Sequence, residues 1–131
     1  MDINQNKDFY IKKNKDNNQR EYNVFFVNND APLSDEILQE MAKYEIVRFC
    51  NIFNQPVGNL PTGIKILTFG SSFNQTVDNL PSGLQNLTFG DEFDQPVDNL
   101  PIGLKSLTLK RYFNQPVDFF TIWIAKSYFW K

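Results

Sequence analysis

Phe73-Asn74-Gln75-Thr76-Val77-Asp78-Asn79-Leu80-Pro81-Ser82-Gly83-Leu84-Gln85-Asn86-Leu87-Thr88-Phe89-Gly90 decides the fold, because the chain repeats it at a fixed spacing of 20 residues. Phe53-Asn54-Gln55-Pro56, Phe93-Asp94-Gln95-Pro96 and Phe113-Asn114-Gln115-Pro116 open the neighbouring units. A period of this size means stacked coils, each hiding its apolar side against the next. Inside the unit, Leu67 and Phe69 alternate with Ile66 and Thr68, which is the period-two signature of a strand. Val47, Leu67, Leu87 and Leu107 share one register, and Phe49, Phe69, Phe89 and Leu109 share another. Short parallel β-strands stacked in a ladder follow. Tyr44-Glu45-Ile46-Val47-Arg48-Phe49 fits the same frame as an earlier, degraded coil.

The rest of each unit must turn the chain back. Phe53, Phe73, Phe93 and Phe113 are expected to stack as an aromatic spine inside the coil. Val57, Val77, Val97 and Val117, with Leu60, Leu80 and Leu100, fill the opposite wall. Pro61-Thr62-Gly63, Pro81-Ser82-Gly83 and Pro101-Ile102-Gly103 read as turns, with Gly expected to supply permissive torsions. Asn54, Asn74, Asp94 and Asn114 are expected to bond backbone at the coil corner, since backbone turning inside a stack needs its polar groups paired. No full helix fits between the turns.

The spaced identities from Phe73 to Gly90, recurring over about residues 44–118, resemble the FNIP-repeat family. That family comprises leucine-rich-repeat relatives of social amoebae and of large DNA viruses that infect amoebae. The general leucine-rich pattern is visible as Leu84-Gln85-Asn86-Leu87-Thr88-Phe89, followed by Asp94. The resemblance implies a leucine-rich-repeat-like solenoid. It also implies, for many members, an N-terminal F-box that recruits a ubiquitin ligase. Pro32-Leu33-Ser34-Asp35-Glu36-Ile37-Leu38 echoes an F-box first helix, but the strand at Ile46–Phe49 follows too soon for the remaining helices. No F-box is expected.

Both ends differ from the repeats. Residues 1–23 are rich in Asn, Lys, Asp and Gln, and that composition predicts a mobile segment. Residues 24–43 read as a small α/β N-terminal cap. Val24-Phe25-Phe26-Val27 forms a buried strand, and Ser34 caps a helix of about ten residues that faces inward through Ile37, Leu38 and Met41. Residues 119–131 break the pattern with Phe119, Phe120, Trp123, Tyr128, Phe129 and Trp130. Trp123 and Trp130 stand in the register of Gly83 and Gly90. The Trp codon TGG, read one base later, becomes a glycine codon, and that frame can spell the missing repeat. A frameshifted repeat is the expectation there, with weak self-association through the exposed C-terminal edge.

Composition narrows the chemistry. The chain has 131 residues and a net charge of −2 with both signs interspersed, so no nucleic-acid footprint is present. Its one cysteine, Cys50, excludes a disulfide framework, and no histidine is available to activate it. No run of eighteen apolar residues occurs, so no membrane span is expected. The default is a cytoplasmic protein, in the host cytoplasm if the source is viral. The Asp78, Asp98 and Asp118 column is read as solvated turn residues rather than a cation site. Neither enzyme activity nor a cofactor or metal is expected.

The candidate binding surface is the outward side of the ladder: Ile46, Arg48, Ile66, Thr68, Asn86, Thr88, Ser106, Thr108 and Lys110. These small hydrogen-bonding side chains suit a protein partner better than phosphate. The leading expectation is a protein–protein interaction module. The alternatives are a truncated remnant of a longer repeat receptor and a self-associating structural protein.

Overall fold

The computed structural model describes residues 8–118, 121 and 125–127. Strands β1 (Phe9–Lys15) and β2 (Glu21–Val27) form a hairpin, followed by helix α1 (Asp35–Met41). The ladder then adds β3 (Ile46–Phe49), β4 (Ile66–Thr68), β5 (Asn86–Thr88), β6 (Ser106–Thr108) and β7 (Ala125–Ser127). All of them join one sheet in chain order. β1 runs antiparallel to β2, and every later pairing is parallel.

The expected register is the observed one. Val47 faces Leu67, Leu67 faces Leu87, and Leu87 faces Leu107. In β4, β5 and β6 the central leucine is buried and its neighbours are half-exposed. Coil stacks on coil through repeated bonds at fixed offset: Lys65 N–H donates to Glu45 O, Gln85 N–H to Lys65 O, and Lys105 N–H to Gln85 O.

Two phenylalanine columns fill the core. Phe53, Phe73, Phe93 and Phe113 stack with ring centroids 6.3, 6.2 and 6.0 Å apart. Phe49, Phe69 and Phe89 stack beside them at 5.1 and 5.5 Å. The columns interlock, Phe69 lying 3.8 Å from Phe73 and Phe89 3.6 Å from Phe93. Burying each ring contributes about 1.5–3 kcal/mol, and such ring pairs add about 0.5–1.5 kcal/mol beyond area. Leu109 ends the second column, fully buried.

The N-terminal region departs from expectation. Residues 9–15, read from composition as mobile, form β1, with Phe9 stacked on Phe25 and Tyr10 on Phe26, each pair at 4.8 Å. Pairing with β2 gives the Lys-rich segment backbone bonds that its own composition could not announce. The hairpin turns through Asp16, whose Oδ1 accepts from Asn18 N–H and Arg20 N–H. Gln19 closes the turn at φ 64°. Ser34 caps α1 as expected, its Oγ accepting from Ile37 N–H at 3.2 Å, but the helix is 7 residues long rather than about ten. Ile37 and Met41 are buried in the same core cluster as the phenylalanine columns.

Glycine has another role than the one expected. No described glycine has a positive φ, so the Pro-x-Gly turns do not use its left-handed freedom. Instead, Gly70 and Gly90 let successive corners touch. A Cβ on Gly70 would lie 2.5 Å from Cys50 O, and one on Gly90 2.2 Å from Gly70 O. Among the described residues no helix is long and apolar enough to cross a membrane. The aromatic tail and its expected frameshifted repeat lie largely outside the described residues.

Candidate functional site

Polar side chains divide into two sets with opposite fates. The corner set is consumed by the fold. Asn54 Oδ1 accepts from Asn74 N–H at 2.8 Å and from Gln75 Nε2 at 3.0 Å. Asn74 Oδ1 accepts in turn from Asp94 N–H and Gln95 Nε2, and Asp94 Oδ1 from Asn114 N–H and Gln115 Nε2. This is the expected corner ladder. Its first rung was not expected: Asp30 Oδ1 accepts from Asn54 N–H at 2.8 Å and Gln55 Nε2 at 3.0 Å. The cap thus imitates a coil, at a spacing of 24 residues instead of 20. That offset hid Asp30 from a search at the repeat period.

The outward set is left free. Alternation along β3–β6 sends Ile46, Arg48, Ile66, Thr68, Asn86, Thr88, Ser106 and Thr108 to one side, whereas Lys110 lies two residues beyond the end of β6. Cross-strand pairing brings Arg48 beside Thr68, Thr68 beside Thr88, and Thr88 beside Thr108. No side chain of this row hydrogen-bonds or ion-pairs with another described residue. The eight candidates from Ile46 to Thr108 therefore lie on one continuous face.

The hairpin extends that face, which sequence reasoning missed. Register pairs Phe26 with Arg48 and Tyr10 with Phe26, so Tyr22, Val24 and Phe26 of β2 share the outward side with Tyr10, Lys12 and Asn14 of β1. The uniformly apolar Val24–Val27 run concealed this alternation. Val24 is buried, yet it lies outside the main core cluster, under the outward groove. That groove, about 390 Å³, is lined by Asn14, Tyr22, Val24, Ile46, Arg48, Ile66 and Thr68. A second, about 340 Å³, lies farther along the strands against Tyr10, Phe26, Asn28, Cys50 and Gly70. Arg48 and Thr68 border both grooves.

Chemistry beyond binding has little to work with. Cys50 is half-buried, its Sγ 3.8 Å from Asn29 O. Among the described residues no group of three or more Cys, Asp or Glu side chains is arranged to hold a metal ion. Asp78 instead accepts from Asn99 Nδ2 at 3.2 Å. Perturbed ionisation occurs off the face. The Asp16 carboxyl is lowered by the Arg20 backbone N–H, Asp118 by the Thr121 N–H, and the Lys43 ammonium is raised by its bond to Glu40.

Comparison with known proteins agrees with this geometry. The model of the FNIP repeat matches residues 53–78. The crystal structure of CroV588, a giant-virus protein described as a novel circular LRR protein, is similar at a TM-score of 0.63 and 30% identity. The similarity covers 72% of this chain and 15% of that one, so the chain spans only a small part of its structural relative's length. None of the curated proteins matches. The chain therefore carries the FNIP repeat on a leucine-rich-repeat-like solenoid.

Proposed function

We propose that this protein is a non-enzymatic interaction module that binds another protein through the outward face of its strand ladder. One observation carries the proposal: the corner amides bond their neighbouring coils, whereas the hydroxyls and amide at Thr68, Asn86, Thr88, Ser106 and Thr108 have no hydrogen-bond partner among the described residues. Donors and acceptors held in register on rigid strands are suited to recognising a partner, because little ordering entropy remains to be lost on binding.

The test is steric. Thr88→Arg places a long cation in the middle of the row without touching the core. A partner captured by the intact chain should be lost with Thr88→Arg and kept with Ile102→Arg, since Ile102 is 91% exposed on a turn away from the strands. Capture that survives Thr88→Arg unchanged would refute the proposal.

A further inference from the structure

We infer that the hairpin end of the face receives an extended acidic segment of a partner protein, with an apolar residue, a carboxylate two residues on, and a second apolar residue two further. The inference rests on the outward face being a binding surface and assigns the chemistry of what it takes.

Charge comes first. The outward positions of β1–β6 carry Lys12 and Arg48 and no Asp or Glu, although the whole chain has net charge −2. Arg48 is exposed and makes no ion pair or hydrogen bond with a described residue. Its guanidinium offers a planar fork suited to a carboxylate. A single arginine between uncharged neighbours fits one carboxylate, not a phosphate backbone.

Shape comes second. Arg48 stands between two grooves, one floored by Val24, Ile46 and Ile66 and the other walled by Tyr10 and Phe26. Ile46 and Arg48 occupy alternate positions of β3, and Cys50, just past the strand, lines the second groove, so groove, cation and groove follow one another at about 6.6–6.8 Å steps. An extended segment projects same-face side chains at that same interval. Apolar-x-acidic-x-apolar therefore matches the face in either chain direction.

The test is fluorescence anisotropy of the full chain with labelled peptides. Probes carry the cores Leu-Ser-Asp-Ser-Leu, Leu-Ser-Asn-Ser-Leu, Leu-Ser-Lys-Ser-Leu and the shifted Leu-Asp-Ser-Ser-Leu, with a single-stranded oligonucleotide alongside. The Asp probe should bind about tenfold more tightly than the Asn or shifted probes, with affinity falling as salt rises. Arg48→Glu should invert the preference between Asp and Lys probes, and Lys43→Glu, off the face in the turn after α1, should not. Circular dichroism of both variants verifies folding. Equal binding of the Asp and Asn probes, no binding of any peptide, a preference that survives Arg48→Glu, or preferential binding of the oligonucleotide would overturn the inference. If the probes fail while Thr88→Arg still abolishes partner capture, the ladder face stands as a binding surface and only this assignment falls.

Discussion

Replacing Gly90 with alanine adds one methyl group at the tightest point of the stack. Its Cβ would lie 2.2 Å from Gly70 O, 2.5 Å from Gly70 C and 2.7 Å from Ser71 Cα. Carbon atoms normally approach no closer than about 3.5 Å, so the corner must open by about 1 Å. All three obstructing atoms are backbone, and Glu92 N–H bonds Ser71 O at 3.0 Å beside them. Opening the corner therefore strains the bond that joins the coils. Overpacking of this kind costs about 1–3 kcal/mol, and weakening the adjacent bond adds about 1 kcal/mol. The same substitution at Gly63 meets nothing within 4 Å and no left-handed backbone. There, reduced freedom of the unfolded chain should stabilise by about 0.4–1 kcal/mol. Equilibrium urea unfolding followed by circular dichroism should separate the two variants by about 2–5 kcal/mol, with Gly90→Ala the weaker. Indistinguishable midpoints would refute the close-approach account of these glycines.

The corner ladder predicts that Asn74→Ala, which strips the acceptor from Asp94 N–H and Gln95 Nε2, destabilises by about 2–3 kcal/mol in urea unfolding. Asn74→Asp keeps an acceptor, as Asp30 and Asp94 do naturally, and should cost less than about 1 kcal/mol. In the hairpin, Gln19→Gly removes the strain of a side chain at φ 64° and should raise stability by about 0.5–1 kcal/mol, read as a higher Tm. The Asp16 carboxyl is lowered from 3.8, chiefly by the Arg20 N–H, so its contribution is present above that pH. The contribution disappears as pH falls through the lowered folded value. Acid titration followed by amide NMR should show the hairpin loosening below pH 3.8, and Asp16→Asn should abolish that dependence.

Most of the repeat region was legible because its constraints are periodic. Val47, Leu67, Leu87 and Leu107 announce their register by spacing alone, and Asn54, Asn74 and Asp94 announce the corner ladder the same way. The cap was less legible because its constraints are not periodic. β1 owes its existence to pairing with β2, a long-range partner that Phe9–Lys15 does not specify by itself. Asp30 performs a repeat function outside the repeat frame. On the candidate face, spacing gave the outward parity of the eight residues from Ile46 to Thr108 but was blind to Tyr10, Tyr22, Val24 and Phe26. Period-two alternation cannot be seen where both faces of a strand are apolar.

The rung contributed by Asp30 gives the corner ladder a direction. At this corner each coil receives its side-chain carbonyl or carboxylate acceptor from the coil before it, whereas along the strands Phe69 N–H and Phe89 N–H bond carbonyls of the coil after. Synthesis runs the same way, so every side-chain acceptor of the corner leaves the ribosome 20 or more residues before the donors that need it. The acceptors of each corner thus already exist when its donors are made, beginning with Asp30 ahead of the first coil.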